Sequence, residues 1–308
     1  MRALDVRREM DSAGIDEVSA LLTAAWNADG SRPLSDHLWL DLREGGRRGF
    51  AGVLMRDDHH DHLVAYCQLS RGNSSWSLDL VVHPHHRYDS HEIAPILIET
   101  ALGIVAEEGG GHVHWWVFEP TNLHVTLARD AGFTPGRRLL QMRVPLPLGG
   151  PASSLAVEPF RPGIDDDEWL SVNNAAFAHH PEQGDWDRGV LDARRREPWF
   201  DPTGFLVHRR DGAMAGFCWT KIHADDGSID DQGRPMGEIY VIAVHPSATG
   251  GGLGTDLVRA GLADLASRGV ATGMLYVDED NAVAVAMYRR LGFVPHHTEV
   301  AFVGDVTR

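Results

Sequence analysis

Residues 249–255 read Thr-Gly-Gly-Gly-Leu-Gly-Thr, between an apolar run ending in Val244-His245-Pro246 and an amphipathic stretch. A strand, a glycine loop and a helix start make an anion site. The first helical N–H groups lack intrahelical partners, the helix dipole favours negative charge, and glycine lets a phosphate approach bare backbone. Thr249, Gly250, Gly251, Gly252, Leu253, Gly254 and Thr255 are therefore candidate phosphate-binding residues. A Walker loop would need Gly-Lys-Ser/Thr, and here Thr255 follows Gly254 directly. A dinucleotide fold puts its glycines immediately after the strand, whereas residues 245–249 intervene here. Two nearby groups could move protons. Glu238 opens the strand leading to the loop, and Tyr288 lies two helical turns after Asn281, on nearly the same face. On residues alone each keeps an ordinary alternative, a surface glutamate at a strand start and a core tyrosine.

The elements that must position these groups follow from the pattern. Residues 237–246 (GEIYVIAVHP) form a strand, and 252–269 a helix stopped by Gly269. Another strand spans 272–280, then a helix over 281–293 with Asn281 as N-cap and Gly292 as its stop. Upstream, 204–223 reads as a hairpin turning at Asp211-Gly212, preceded by a strand at 155–162 and helices at 166–180 and 185–198. Residues 297–304 make a last strand. This order predicts an α/β fold, a mixed sheet (α+β) with helices on its faces.

The same plan occurs twice. Val82-His83-Pro84 recurs as Val244-His245-Pro246, 162 residues on, and Gly132-Phe133 as Gly292-Phe293, 160 residues on. Two tandem domains are expected, at 1–148 and 155–308, joined through the Pro-, Gly- and Ser-rich stretch 145–156.

Composition narrows the class. A net charge of −16 argues against nucleic acid as a partner, which would need clustered Lys and Arg. No apolar run approaches a membrane span, and the first residues lack a signal-peptide core, so a cytoplasmic protein away from membranes is expected. Cys67 and Cys218 lie in strand-like contexts and read as buried reduced thiols. Ten of the eighteen histidines cluster at 57–62, 83–86, 178–181 and 295–298, without zinc-site spacing; they are expected to be solvated and no metal is expected.

The loop together with DEDNAVAVAMYRRLGF (278–293) resembles the GCN5-related N-acetyltransferase (GNAT) superfamily. That family carries Arg/Gln-x-x-Gly-x-Gly/Ala and then Asn-x-x-Ala-x-x-x-Tyr-x-x-x-Gly-Phe. Gly252, Gly254, Asn281, Ala284, Tyr288, Gly292 and Phe293 match it. Thr249 replaces the Arg or Gln, and Gly251 stands where a basic residue is common, which leaves backbone contacts to the pyrophosphate. The stretches 172–186 (VNNAAFAHHPEQGDW), 197–207 (EPWFDPTGFLV), 216–223 (GFCWTKIH) and 237–246 narrow the resemblance to the mycothiol synthases. It spans essentially the whole chain. Members of that family acetylate the cysteinyl amine of cysteinyl-glucosaminyl-inositol, with acetyl-CoA as cosubstrate.

The resemblance implies roles. Acetyl transfer requires a deprotonated amine, a polarised thioester carbonyl and a stabilised thiolate. Glu238 matches the base, and only a modest one is needed for an α-amine titrating at about 8. Tyr288 matches the acid that protonates the leaving thiolate. Ile242, Ala243 and Val244 would offer backbone N–H groups, opened by a bulge there, and with the loop, Asn281 and Ala284 would hold acetyl-CoA. Asp36, Glu182, Lys221 and Tyr276, with Glu238, match substrate-side positions. In the first copy the offsets put Trp76 at the place of Glu238 and Ala128 at that of Tyr288, with Ser90 and Glu92 for the loop glycines. Only Arg87 keeps the basic residue, so this domain is read as degenerate and non-catalytic. A monomer acting on a small-molecule amine is expected. The alternatives are a GNAT enzyme for peptide or aminoglycoside amines, or a non-catalytic CoA-binding regulatory protein.

Overall fold

A computed structural model describes residues 2–29, 33–60, 62–72, 75–150, 153–178, 184–224 and 229–308. The chain runs β1 (Arg2–Arg7), α1 (Ser12–Asp29), α2 (Asp36–Arg43), β2 (Ala51–Asp57), β3 (Leu63–Arg71), β4 (Ser75–Val82), α3 (Ser90–Glu107), β5 (Gly111–Phe118), α4 (Asn122–Asp130) and β6 (Thr134–Pro145). It continues β7 (Glu158–Pro159), α5 (Asp166–Ala176), α6 (Arg188–Arg195), β8 (Phe205–Arg210), β9 (Ala213–Ile222), β10 (Gly237–Val244), α7 (Leu253–Ser267), β11 (Thr272–Asp278), α8 (Ala282–Arg290) and β12 (Val294–Val306). Among the described residues no helix is long and apolar enough to cross a membrane.

The chain divides into two compact units, Met1–Arg138 with Thr298–Arg308, and Leu139–His297. Strand order in the first is β1-β2-β3-β4-β5-β12, and in the second β7-β8-β9-β10-β11-β6. The sixth strand of each comes from the other half of the chain. β12 pairs antiparallel with β5, from Glu299↔Phe118 to Val306↔Gly111. β6 pairs antiparallel with β11, from Leu139↔Asp278 to Pro145↔Thr272. The units therefore differ from a division at 145–156. The alternating apolar residues of 134–145 and 297–304 specify which face is buried, not which distant edge is joined.

In each unit helices cover both faces of the strands. In the first unit one core joins Val53, Leu69 and Leu78 to Leu97 and Leu127 of α3 and α4, and the other joins Leu54, Tyr66 and Val81 to Val18 and Leu22 of α1. In the second unit Cys218 and Ile239 pack with Leu257 of α7 and Tyr288 of α8. The opposite face is aromatic, with Phe205, Phe217 and Trp219 against Trp169 of α5 and Leu191 of α6. The β8–β9 hairpin turns as its Asp-Gly pair predicts, with positive φ at both residues, 53° and 83°.

Candidate active site

The glycine loop starts where β10 ends. His245 accepts from the Ser247 N–H through Nδ1 at 3.2 Å, and the Thr249 hydroxyl donates to the Pro246 carbonyl at 2.9 Å. Three left-handed residues follow, Gly250 (φ 94°), Gly251 (65°) and Gly252 (85°). A run of three needs glycine, because any side chain costs about 1–2 kcal/mol per left-handed residue. Gly252 is the N-cap of α7 and makes no side-chain cap bond, so the N–H groups of the first turn, Leu253 to Thr255, point out of the helix without an intrahelical acceptor. A Cβ added at Gly250, Gly251 or Gly252 would meet nothing within 4 Å. The surrounding protein thus leaves an open cradle of backbone donors, which fits a diphosphate.

β10 is detached from β11 over most of its length. They pair in parallel at Gly237↔Gly273 and Glu238↔Met274, and no pairing follows. Toward β11 the backbone of Ile242, Ala243 and Val244 is left outside the ladder. Ile242 and Val244 turn to the α7 side and Ala243 to the aromatic side. The bulge lies upstream of its expected place. The register with β9 slips between Ile239 and Val241, so Tyr240 is the extra residue, while Val241 to Val244 pair regularly. Neighbouring side chains fix Tyr240, whose hydroxyl accepts from Arg194 Nε at 3.0 Å and whose ring stands edge-on to Trp199 at 4.9 Å.

Glu238 and Lys221 are directly opposite each other in the β9–β10 ladder, which puts both on the aromatic face. Lys221 is only 2% exposed, its ammonium 4.9 Å from the Trp199 ring centre and 5.4 Å from that of Tyr240. Such faces attract a desolvated cation. Glu238 is 7% exposed, and its Oε2 lies 2.9 Å from His223 Nε2. His223 was missed at the level of sequence. The available signal was its period-two spacing with Trp219 and Lys221, which brings it toward the face that carries Glu238.

Tyr288 belongs to the other layer. It is buried among the α7 and α8 side chains, edge-on to Phe293 at 5.6 Å, and no described residue hydrogen-bonds its hydroxyl. Burial pushes its phenol well above the ordinary tyrosine range, so it stays protonated. Tyr288 and Glu238 do not touch; they stand on opposite faces of the sheet where β10 leaves β11. Asn281 caps α8, its Oδ1 accepting from the Ala284 N–H at 3.1 Å, so both residues act at the helix start. Tyr276 is exposed, and its hydroxyl accepts from Gln141 Nε2 at 2.9 Å. Asp36 opens α2 in the first unit, and Glu182 lies outside the described residues. Both cysteines are free and buried, and burial raises their thiols far above the usual range, as suits inert core residues.

The first unit lacks this constellation, though not at the position the offset indicates. Glu238 pairs with Lys221 and Met274, and the corresponding ladder position, paired with Ser70 and His114, is Ser77. Tyr240 adds a residue that β4 does not have, so Trp76 aligns with Gly237. Ala128 and Tyr288 are each the seventh residue of their helix, as expected. From Pro84 to Asp89 the loop is a tight 3-10 turn without left-handed residues. Arg87 makes a paired contact to Asp29, at 2.6 and 2.5 Å.

Residues 169–293 match the acetyltransferase (GNAT) family. The chain is 39% identical to a mycothiol acetyltransferase of Acidimicrobium ferrooxidans, across 98% of both chains. It is 40% identical to a mycothiol acetyltransferase of Streptomyces coelicolor, across 98% of this chain and 95% of that one. Its fold is similar to a GCN5-related N-acetyltransferase from Sphaerobacter thermophilus, with a TM-score of 0.69 at 20% identity over 99% and 96% of the two chains. A tandem GNAT protein from the clavulanic acid biosynthesis pathway gives 0.67 at 17% identity over 99% of each. Identity of this extent, over a duplicated fold that keeps the opened strand and glycine cradle in its second copy, is shared descent, and the chain belongs to the mycothiol acetyltransferase family of GNAT enzymes.

Proposed function

We propose that this acetyltransferase moves an acetyl group from acetyl-CoA to the cysteinyl amine of cysteinyl-glucosaminyl-inositol, giving mycothiol and CoA. The observation that carries the reading is the near-full-length identity to mycothiol acetyltransferases, joined to a buried carboxylate beside an opened strand. Acetyl-CoA supplies the activated acyl thioester. The loop 249–255 holds its diphosphate through backbone N–H groups, with Ile242, Ala243 and Val244 along the remainder and Asn281 and Ala284 at the start of α8.

Glu238 takes the proton of the acceptor ammonium, directly or through water, with His223 holding the carboxylate in place. A backbone N–H of Ile242, Ala243 or Val244 polarises the carbonyl. Tyr288 gives its proton to the departing thiolate; burial keeps the phenol protonated until that step. Lys221, Tyr276, Glu182 and Asp36 contact the polyol acceptor, and the first domain does not turn over. The same reading carries a cytoplasmic monomer. Incubation with cysteinyl-glucosaminyl-inositol and acetyl-CoA should give acetylated product and free CoA in equal amounts. No product there, with turnover of a peptide or aminoglycoside amine, would assign a different acceptor.

A further inference from the structure

The first unit contains a histidine cluster that the proposed acetyl transfer does not use. It is assembled from two segments. The turn between β2 and β3 carries His60 and His62, and the turn after β4 carries His83, His85 and His86. The sheet joins them, because the His83 N–H donates to the Val64 carbonyl at 2.9 Å and Ala65 pairs with Val82. His62 stacks on His83 at 4.2 Å between ring centres, and His60 stands edge-on to His86 at 4.6 Å.

Two of the five, His83 and His86, are not the solvated loop histidines expected from the sequence, while His60 and His85 are exposed. His86 is 3% exposed and His83 is buried too. A desolvated imidazole needs a partner for each nitrogen. Two overlapping triads, His60-His62-His86 and His62-His83-His85, each bring one ring nitrogen per residue within 4.8 Å of the others. In the first, the Nε2 atoms of His62 and His86 lie 3.1 Å apart. Two nitrogens on one tetrahedral zinc, each bound at about 2.0–2.1 Å, are roughly 3.3 Å apart.

The second unit serves as an internal control. Its hairpin turn is the two residues Asp211 and Gly212, where the first unit has residues 58–62. Its His-Pro turn repeats the backbone of the first, with φ −55° and ψ 136° at His245 against −55° and 135° at His83. Yet it carries Ser247 and Ala248 where the first has His85 and His86. The duplicated fold thus forms this corner without the extra imidazoles. The lengthened hairpin is the segment that brings two of them.

We propose that His60, His62 and His86 bind one divalent transition-metal ion of the zinc, nickel or copper class, with His83 and His85 packed behind His62. An all-imidazole set suits those ions and not magnesium or calcium. The ion would fasten the β2–β3 turn to the turn after β4.

The test is isothermal titration of the full chain, free of any affinity tag, with zinc chloride and with nickel chloride alone. About one ion per chain should bind, with a Kd on the order of micromolar. Because His60 is exposed, His60→Ala reads ligation without disturbing the core, and it should weaken binding at least ~10-fold, as should His86→Ala. His62→Ala should abolish saturable binding, whereas His91→Ala, at an exposed histidine elsewhere in the same unit, should not change it. Zinc should raise the melting temperature of the parent chain and not that of His62→Ala. Circular dichroism of each variant separates lost ligation from lost fold. The absence of saturable binding to the parent chain, or unchanged binding in folded His60→Ala and His86→Ala, overturns the proposal.

Discussion

Gly254→Ala separates a glycine kept for the fold from one kept for a ligand. Gly254 is the second residue of α7 and has no positive φ. An added Cβ would stand 3.9 Å from Val244 Cγ2 and 4.0 Å from Met287 Sδ, both ordinary contacts. Alanine therefore costs the protein nothing there and removes the excess flexibility of glycine from the unfolded chain, a gain of about 0.4–1 kcal/mol. The melting temperature should rise by ~1–4 °C. At Gly252, with φ 85°, the space is also open but the backbone is wrong, and Gly252→Ala should lose about 1–2 kcal/mol. Affinity should run differently. A methyl at position 254 projects from the helix start against which the diphosphate is proposed to rest, so KM for acetyl-CoA should rise at least ~10-fold, about 1.4 kcal/mol, with kcat little changed. The assay is CoA-thiol release across acetyl-CoA concentrations, paired with thermal melts. A stabilised Gly254→Ala enzyme with the parent KM would refute the reasoning, because the phosphates would then lie elsewhere.

Three further outcomes follow from the second unit. Tyr288→Phe should lower kcat ~10²-fold or more with little change in KM for acetyl-CoA, because no described residue bonds the hydroxyl and the ring still fills its place; unchanged turnover removes Tyr288 as the acid. His223→Ala leaves the Glu238 Oε2 without its 2.9 Å neighbour, and kcat/KM should fall ~10-fold from a misplaced carboxylate; parent-level kinetics in the folded variant would deny His223 a positioning role. Asp230 accepts from the Arg234 side chain and from the N–H groups of Arg234 and Gln232, each at 2.9 Å, which with the Thr272 hydroxyl hold its carboxyl well below the usual range. A carboxyl depressed on folding stabilises fully above the unfolded pKa of about 3.9 and loses that contribution as pH falls below it. Urea midpoints should therefore separate Asp230→Asn from the parent widely at pH 7 and less at pH 3, and a gap that widens in acid contradicts the assignment.

What could be read from the sequence was local. The Asp211-Gly212 turn, the Asn281 cap, the Gly269 and Gly292 stops and the glycine loop each depend on a few adjacent residues with fixed backbone preferences, and each stands where the pattern places it. Three features escaped because they depend on distant pairings. Nothing in residues 297–304 names β5 as their neighbour. The bulge at Tyr240 is invisible to an offset counted from Val-His-Pro, so the counterpart of Glu238 moves by one, from Trp76 to Ser77. The two histidine runs at 57–62 and 83–86 have no metal-site spacing separately; only the β3–β4 register brings them together.

The exchanged strands also constrain how the protein is made. During synthesis the first unit emerges with the β5 edge bare, and its eight-residue partner from Glu299 to Val306 arrives only after the whole second unit has left the ribosome. An uncovered edge of that length invites pairing with other nascent chains. β6 reaches its site on β11 only after about 130 intervening residues have been translated, a slow, non-local closure. Cutting the gene in the linker at 145–156 would leave each fragment with a donor strand and no acceptor for it. The pieces should fold together when co-expressed and fail apart, so the two halves behave as one heritable unit despite having begun as two copies.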